Sequence, residues 1–249
     1  MTNLEFLPGV DAVHVIERLR KAGGGEIESG KFLSPESSAA LAVNTFGWFV
    51  HRPALLPPFP SLPFETAPFA VDVEYCARFP WSGGRHPWLD AIIETPTKLI
   101  GVESKRYEPF RDRKSASLSE AYDRPVWGEA MQPYEDMRDR LRREPRCFRY
   151  LDAAQLVKHA FGLVTEGTRK RKPAALVYLY AEPQVLAGKA IPSDVLAAHR
   201  DEISEFAAAV DGAAVEFHAA SYREWLATWQ AASQAVAAHG QAVASLFPP

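Results

Sequence analysis

The segment that decides the fold is PWLDAIIETPTKLIGVESK, residues 87–105. Two apolar runs, residues 88–95 and 99–107, are separated by Thr95-Pro96-Thr97-Lys98, which predicts two antiparallel strands joined by a short turn. If the hairpin is symmetric about this turn, the numbers of paired residues sum to 193, and Asp90 lies directly opposite Glu103. An odd-length loop or a bulge would instead move Asp90 by one position.

The second strand carries a Glu-x-Lys pair. Side chains at i and i+2 of a strand share a face, so Glu103 and Lys105 point to one side, and Val102 and Ser104 to the other. Directly opposed positions have Cβ atoms ~4.5–5.5 Å apart, a distance that two carboxylates resist unless a cation or a proton intervenes. A Glu-x-Lys pair is also common on a solvated face, but both strands here are apolar on both sides. Buried charges need partners, and the pattern therefore outlines a divalent-metal site.

The elements around this hairpin indicate an α/β fold. The sequence predicts a helix over residues 11–21, a break at Gly23-Gly24-Gly25, and a second helix capped by Ser34 with Pro35 at its first position, ending near Phe49. The remaining predicted elements are a first strand over 69–81, helices over 117–146 and 152–163, the latter ending near Gly162, a buried strand over 174–181, a helix capped by Ser193, a strand over 213–219 and a helix opened by the capping box Ser221 to Glu224.

The organisation is expected to be one domain over residues 1–249, because the proline-rich stretch 53–68 follows a segment too small to form its own core. We interpret that stretch as a surface strap. Helices before, between and after a five-stranded mixed sheet predict a single α/β architecture.

Composition restricts the function classes. The chain has 249 residues, 47% hydrophobic and 24% charged, which excludes disorder and collagen-like repeats. No run reaches the ~20 apolar residues of a membrane span, and the start lacks the pattern of a signal peptide, so a cytoplasmic protein is expected. Cys76 and Cys147 have no C-x-x-C spacing and are expected to be small core residues.

Charge is distributed unevenly along the chain. The net charge is -3, but residues 98–173 hold 18 Lys and Arg against 12 Asp and Glu. This middle segment could face a polyanion, or it could be a solvated helix face in which both signs alternate.

The order of these elements resembles the PD-(D/E)XK nuclease superfamily, which has a restriction-endonuclease-like fold with αβββαβ order. The resemblance covers residues of about 34–220 and rests on Leu89-Asp90, Val102-Glu103-Ser104-Lys105 and the helix that includes residues 150–159. Together, these three segments are similar to a prokaryotic, restriction-endonuclease-like branch of that superfamily. Pro87 is separated from Asp90 by two residues, so the literal Pro-Asp pair of the motif is absent.

The resemblance implies that Asp90 and Glu103 bind Mg²⁺, with Mn²⁺ as a substitute, and that Lys105 orients or activates the attacking water. Many members use a third acid, for which Glu36, on the predicted helix before the sheet, and Glu74, on the first strand, are the candidates. Glu74 ranks slightly ahead, and either could equally be an ordinary surface glutamate.

Further polar residues match positions that face the active site or contact nucleic acid in related nucleases. Gln155 and Lys158, three apart on one helix, are candidates for the active-site face, or are simply a surface pair. The basic run Arg169, Lys170, Arg171 and Lys172, in a predicted loop, could grip backbone phosphates or merely keep the loop soluble.

Two functions of different classes follow. The first is a Mg²⁺-dependent endonuclease that hydrolyses phosphodiester bonds in DNA. The alternative is a catalytically inactive protein of the same fold, in which the acids and Lys105 form a structural ion pair and the basic segment binds protein or nucleic acid. Trp225 and Trp229 are expected in the core or at an interface, which leaves a homodimer open.

Overall fold

A five-stranded mixed sheet forms the centre of the computed structural model, which describes residues 5–23, 25–111 and 115–249. The strands are β1 (Ala70–Cys76), β2 (Trp88–Glu94), β3 (Leu99–Lys105), β4 (Ala174–Tyr180) and, later in the chain, β7 (Val215–Ser221). Their order in the sheet is β1-β2-β3-β4-β7, with the first three antiparallel and the last three parallel. A small separate hairpin pairs β5 (Val185–Leu186) with β6 (Lys189–Ala190), which the sequence did not predict.

Helices cover both faces of the sheet. They are α1 (Ala12–Ala22), α2 (Ser38–Phe46), α3 (Glu108–Arg111), α4 (Gln132–Arg143), α5 (Ala153–Lys170), α6 (Ser193–Ala209), α7 (Tyr222–Thr228) and α8 (Gln234–Leu246). One hydrophobic core contains side chains of α2, α7 and α8, and the other contains side chains of α4, α5 and α6. The predicted fold class, a mixed five-stranded sheet flanked by helices with additional C-terminal helices, is confirmed.

The register of the β2–β3 hairpin is the predicted one. Glu94 pairs with Leu99 and Ala91 pairs with Val102, so the paired numbers sum to 193. The turn is held by Thr95, whose backbone N–H donates to the carbonyl of Lys98 at 3.0 Å. The three-stranded antiparallel arrangement of β1, β2 and β3 is also as predicted.

The start of α2 differs from the prediction. Ser37, not Ser34, is its N-cap, because the Ser37 hydroxyl accepts the backbone N–H of Ala40 at 3.0 Å. Ser34 instead ends a short 3-10 turn over Lys31–Leu33. From sequence, Ser34 and Ser37 are both suitable N-caps for this helix. Phe32, which is buried at the centre of the 3-10 turn, anchors the turn that Ser34 ends.

The α5 helix continues seven residues beyond the predicted 152–163, to Lys170. Gly162 does not stop the helix but lets it approach the sheet, because a Cβ at this position would lie 2.8 Å from Ala77 Cβ and 2.9 Å from Pro87 Cγ. The predicted 117–146 helix was too long, since only α4 and two short 3-10 turns form there. The helix predicted to be capped by Ser193 has Pro192 at its N-cap, without a side-chain hydrogen bond.

The C-terminal part of the chain packs on the proline-rich strap. The capping box of Ser221 and Glu224 is present, and Trp225 and Trp229 are both fully buried, as a core role requires. The indole N–H of Trp225 donates to the carbonyl of Pro58 at 3.0 Å, and Phe59 is 1% exposed, so the strap contributes to the core.

Residues 1–4 and Gly24 of the predicted glycine break lie outside the described residues. In the described ranges no helix is long and apolar enough to cross a membrane. Cys76 and Cys147 are free and half-buried, so the expectation that both are core residues was wrong. Cys76 follows Tyr75 at the end of β1, an edge strand that has no further strand on one side.

Candidate active site

Asp90 and Glu103 meet at the open end of the β2–β3 hairpin. The hairpin register extended by one pair places them opposite each other, and Asp90 Oδ2 accepts the backbone N–H of Ser104 at 2.6 Å. Asp90 is partly exposed, whereas the Glu103 side chain is only 2% exposed. Both acids are therefore largely removed from water, Glu103 more completely than Asp90.

Lys105 lies on the same face of β3 as Glu103. Its ammonium forms an ion pair with Glu103 Oε1, and its side chain is 14% exposed. Ser104 points to the other face, where its hydroxyl lies 2.7 Å from the hydroxyl of Tyr222. The alternation predicted for this strand is confirmed.

His159, on α5, reaches the second oxygen of Glu103. Its Nε2 atom lies 2.8 Å from Glu103 Oε2, and both side chains are 2% exposed. The two atoms are in contact, but the pair does not have the angular geometry of a hydrogen bond. Glu103 is thus held from two elements, through Oε1 by Lys105 on its own strand and through Oε2 by the helix.

The three groups on β2 and β3 shift one another's protonation. Burial, and next the negative charge of Glu103, raise the pKa of Asp90 well above its usual range. Burial also opposes ionisation of Glu103, but Lys105 and then His159 outweigh it and lower the pKa of Glu103 to about 2. Burial opposes the charge of Lys105 as well, yet the attraction of Glu103 and then Asp90 raises its pKa. An ionised Glu103 beside a protonated Lys105 is the result.

Glu74 joins these acids from β1. Its φ of 49° is unusual for a residue with a side chain, and Arg18 supports the backbone there by donating to the carbonyls of Val73 at 2.9 Å and Glu74 at 2.8 Å. Burial, followed by repulsion from Glu103, raises the pKa of Glu74 to about 7. We call Glu74, Asp90 and Glu103, together with Lys105, the acid cluster.

The other candidate for a third acid lies elsewhere. Glu36 precedes α2 instead of lying on it, and its carboxylate pairs with Arg111 at 2.5 Å. The charges that act most strongly on Asp90 come from Glu103, Lys105 and Glu74. The structure therefore brings Glu74, and not Glu36, to Asp90 and Glu103.

Gln155 and Lys158 lie in the first half of α5. Gln155 is one turn before His159, on the same helical face, and both Gln155 and Lys158 are partly exposed. Burial lowers the pKa of Lys158. Within the described part of the chain, neither side chain hydrogen-bonds to Asp90 or Glu103.

The basic run 169–172 is not the predicted loop. Its first two residues end α5, and Lys170 and Lys172 both bind Glu94, at 2.6 Å and 3.0 Å. Glu94 lies four residues from Asp90 along β2, at the turn end of the strand, a separation of about 13 Å. These two lysines are therefore occupied at the end of the sheet opposite the acid cluster.

Glu108 is a charged neighbour that the sequence analysis missed. It opens α3, accepts the backbone N–H of Arg106 at 3.0 Å and is hydrogen-bonded by the hydroxyl of Ser38. Burial opposes its ionisation, but Lys105 and then Ser38 lower its pKa. The only sequence signal was its position three residues after Lys105.

The donor set of the cluster suits a hard divalent cation. Asp90 uses only Oδ2 in its bond to Ser104, whereas Glu103 already contacts Lys105 through Oε1 and His159 through Oε2. In residues 5–23, 25–111 and 115–249, no group of three or more His, Cys, Asp or Glu side chains is arranged to hold a metal ion. Mg²⁺ needs only one or two carboxylates because water and phosphate complete its shell, whereas a structural Zn²⁺ site needs four protein ligands.

The chain matches a family model described as Restriction Endonuclease associating with ARP over residues 5–246. Comparison with the curated proteins and with the solved structures finds no match.

Proposed function

The chain belongs to the family described as Restriction Endonuclease associating with ARP, and from that premise we propose that it hydrolyses phosphodiester bonds in DNA as a Mg²⁺-dependent endonuclease. The matched residues include the whole acid cluster. The family description supports nuclease chemistry, and the structure supplies a site at which that chemistry can be tested.

The observation that carries the proposal is the juxtaposition of Asp90, Glu103 and Lys105 on two paired strands. Asp90 and Glu103 directly follow the last registered pair, Ala91 and Val102, and burial and then the charge of Glu103 raise the pKa of Asp90. With Glu74 included, three carboxylates share one ammonium. The remaining negative charge would be compensated by two protons or by one divalent cation.

Asp90 and Glu103 are the residues that would hold the cation, with Glu74 as a third acid. A bound Mg²⁺ would supply a water of lowered pKa and would neutralise charge on the scissile phosphate. The protein contributes a fixed Glu103, since Lys105 and His159 engage one oxygen each. It also contributes the anchoring of Asp90 by the backbone of Ser104.

Lys105 acts as a charge and hydrogen-bond donor. Its raised pKa keeps it protonated at neutral pH, so it does not accept the proton of the attacking water. Its ammonium instead orients that water and stabilises the negative charge that develops as the new P–O bond forms and the bond to the leaving oxygen breaks.

Nicking of supercoiled plasmid in the presence of Mg²⁺ or Mn²⁺ tests the proposal. Asp90→Asn, Glu103→Gln and Lys105→Met each remove one charge with little change in volume, and each should reduce nicking by at least about 100-fold. Glu94→Gln is the matched control, because Glu94 is a carboxylate on the same strand as Asp90 but at the far end.

Thermal unfolding of each variant shows whether it is folded. Activity that persists in folded Asp90→Asn and Glu103→Gln variants would overturn the proposal. A wild-type protein that binds DNA but cuts it with neither metal would favour the alternative, an inactive binding module of the same fold.

A further inference from the structure

A basic groove opens on the edge of the sheet formed by β1. It has a volume of about 550 Å³ and lies between α1, the ends of β1 and β2, and the last turns of α5. Four basic side chains line it, together with two aromatic ones: Arg18, Lys21, Arg78, Arg169, Tyr75 and Trp88. Its volume is within the ~300–1,000 Å³ of typical ligand sites.

One acid, Glu166, also lines the groove, but its charge is already satisfied. Its carboxylate accepts hydrogen bonds from the Tyr75 hydroxyl at 3.1 Å, from the backbone N–H of Arg78 at 3.1 Å and from Arg169 at 2.6 Å. The groove therefore keeps a net positive charge.

The four cations differ in mobility. Arg18 is fixed by the carbonyls of Val73 and Glu74 and also pairs with Asp72 at 3.3 Å. Arg169 is fixed by the carbonyls of Arg78 and Phe79 and pairs with Glu166. Lys21 and Arg78 are exposed, and neither forms an ion pair within the described residues. Two ordered guanidinium groups and two unpaired cations form a surface suited to an extended anion.

The groove adjoins the acid cluster along both strands. Tyr75 directly follows Glu74, and Trp88 precedes Asp90 by two residues. Arg18 links the two sites, since it lines the groove and hydrogen-bonds to the Glu74 carbonyl at 2.8 Å. An anion in the groove would thus lie beside the point at which the phosphate to be cut would bind.

We propose that this groove binds the backbone phosphates of the DNA strand next to the phosphodiester bond that is cleaved. The identity of the ligand as a DNA strand rests on the proposed nuclease function. Arginine pairs with phosphate oxygens in a bidentate manner, and Trp88 and Tyr75 offer apolar surface to sugars or bases. Such contacts position the strand without reading its sequence.

The test is DNA binding without cleavage. Fluorescence anisotropy of a labelled duplex of about 20 base pairs, measured in EDTA over a range of salt, gives the affinity and its salt slope. Lys21→Gln and Arg78→Gln remove exposed cations that form no ion pair within the described residues. Each should lower the affinity about five- to tenfold at low salt and reduce the slope by about 0.9, and the double variant should show both losses.

Arg143→Gln is the matched control, because Arg143 is exposed on α4, has no ion pair within the described residues and lies outside the groove. It should leave affinity and slope unchanged. Unchanged binding in the double variant, equal losses in Arg143→Gln, or a wild-type protein that does not bind the duplex would each overturn the proposal.

Inorganic phosphate, titrated into the same mixtures, distinguishes a strand from a free anion. Displacement of the duplex by phosphate at concentrations similar to those of the duplex phosphates would identify a free-phosphate site and overturn the strand assignment. If the wild-type protein does not nick DNA but binds the duplex, and the double variant binds it less tightly, the nuclease function is refuted and the groove is not. Normal nicking and normal binding in the double variant would refute the groove alone.

Cysteine protection gives a second readout on the wild-type chain. Cys76 lines the groove, whereas half-buried Cys147 lies beside Glu144 and Arg146, away from it. Burial raises the pKa of both thiols, so alkylation is best followed at mildly alkaline pH by mass spectrometry. Bound duplex should slow alkylation of Cys76 and not of Cys147. Equal rates with and without duplex would contradict the proposal.

Discussion

Replacement of Gly162 by alanine probes how closely α5 packs on the sheet. In an open helix this change stabilises by about 1 kcal/mol, because glycine is a poor helix former. Here the new Cβ would lie 2.8 Å from Ala77 Cβ, 2.9 Å from Pro87 Cγ and 3.0 Å from the Ala77 carbonyl oxygen. Overpacking of this kind costs ~1–3 kcal/mol, and contact with backbone on one side places it near the upper end.

The net result is a loss of about 2 kcal/mol, which lowers the melting temperature by about 4–8 °C in a chain of this size. Urea and thermal unfolding measure it. Ala77→Gly in the same chain removes the closest contact and should recover at least about 1 kcal/mol in a double-mutant cycle. A Gly162→Ala protein as stable as the wild type, or more stable, would show that helix propensity dominates and refute the close approach of α5.

Three further predictions concern buried charge. Burial lowers the pKa of His199 to about 4, so the neutral imidazole favours the folded state fully above about pH 6.5, and about 3 kcal/mol of stability is lost as the pH falls toward 4. Urea unfolding at several pH values should show a smaller loss of stability in acid for His199→Gln than for the wild type. Equal losses in the two proteins would contradict this. Lys105→Met leaves Asp90 and Glu103 without their cation and should lower the free energy of unfolding by about 3–5 kcal/mol in EDTA. Added Mg²⁺ should restore part of that stability, and a loss that Mg²⁺ does not reduce would contradict the metal site. His159→Leu should weaken Mn²⁺ binding about 10- to 100-fold by calorimetry, with His159→Gln closer to wild type, because the residue positions Glu103; equal affinities in all three proteins would exclude that role.

The hairpin at the centre of the sheet could be predicted because its information is local. The apolar runs and the four-residue turn determine the register as far as Ala91 and Val102, and Asp90 and Glu103 are the next residues on the two strands. The side of β3 on which Glu103 and Lys105 lie follows from the two-residue period of a strand.

Contacts made over long sequence separations could not be predicted. Lys170 and Lys172 looked free in sequence, yet Glu94 lies more than 70 residues earlier and binds both. Glu36 was a candidate third acid from sequence, but its carboxylate pairs with Arg111, which lies 75 residues later in the chain. The length of α5 was missed because Gly162 breaks helices by propensity but serves here as a packing position against Ala77.

Of the groove's four cations, only Arg169 was a candidate for phosphate binding from sequence; the other three had no local signal. The four cations come from residues 18, 21, 78 and 169, which only the crossing of α5 over the sheet edge brings together. Glu74 was found as a candidate from its place on β1, but its left-handed backbone conformation was not foreseen.

The central claim is that Asp90 and Glu103 bind a divalent cation, and calorimetric titration with Mn²⁺ tests it most directly. The account predicts saturable binding to the wild-type protein and to the Glu94→Gln control, and its loss in Asp90→Asn and Glu103→Gln proteins that remain folded. Absence of binding to the wild-type protein, or equal binding to all four, would contradict it.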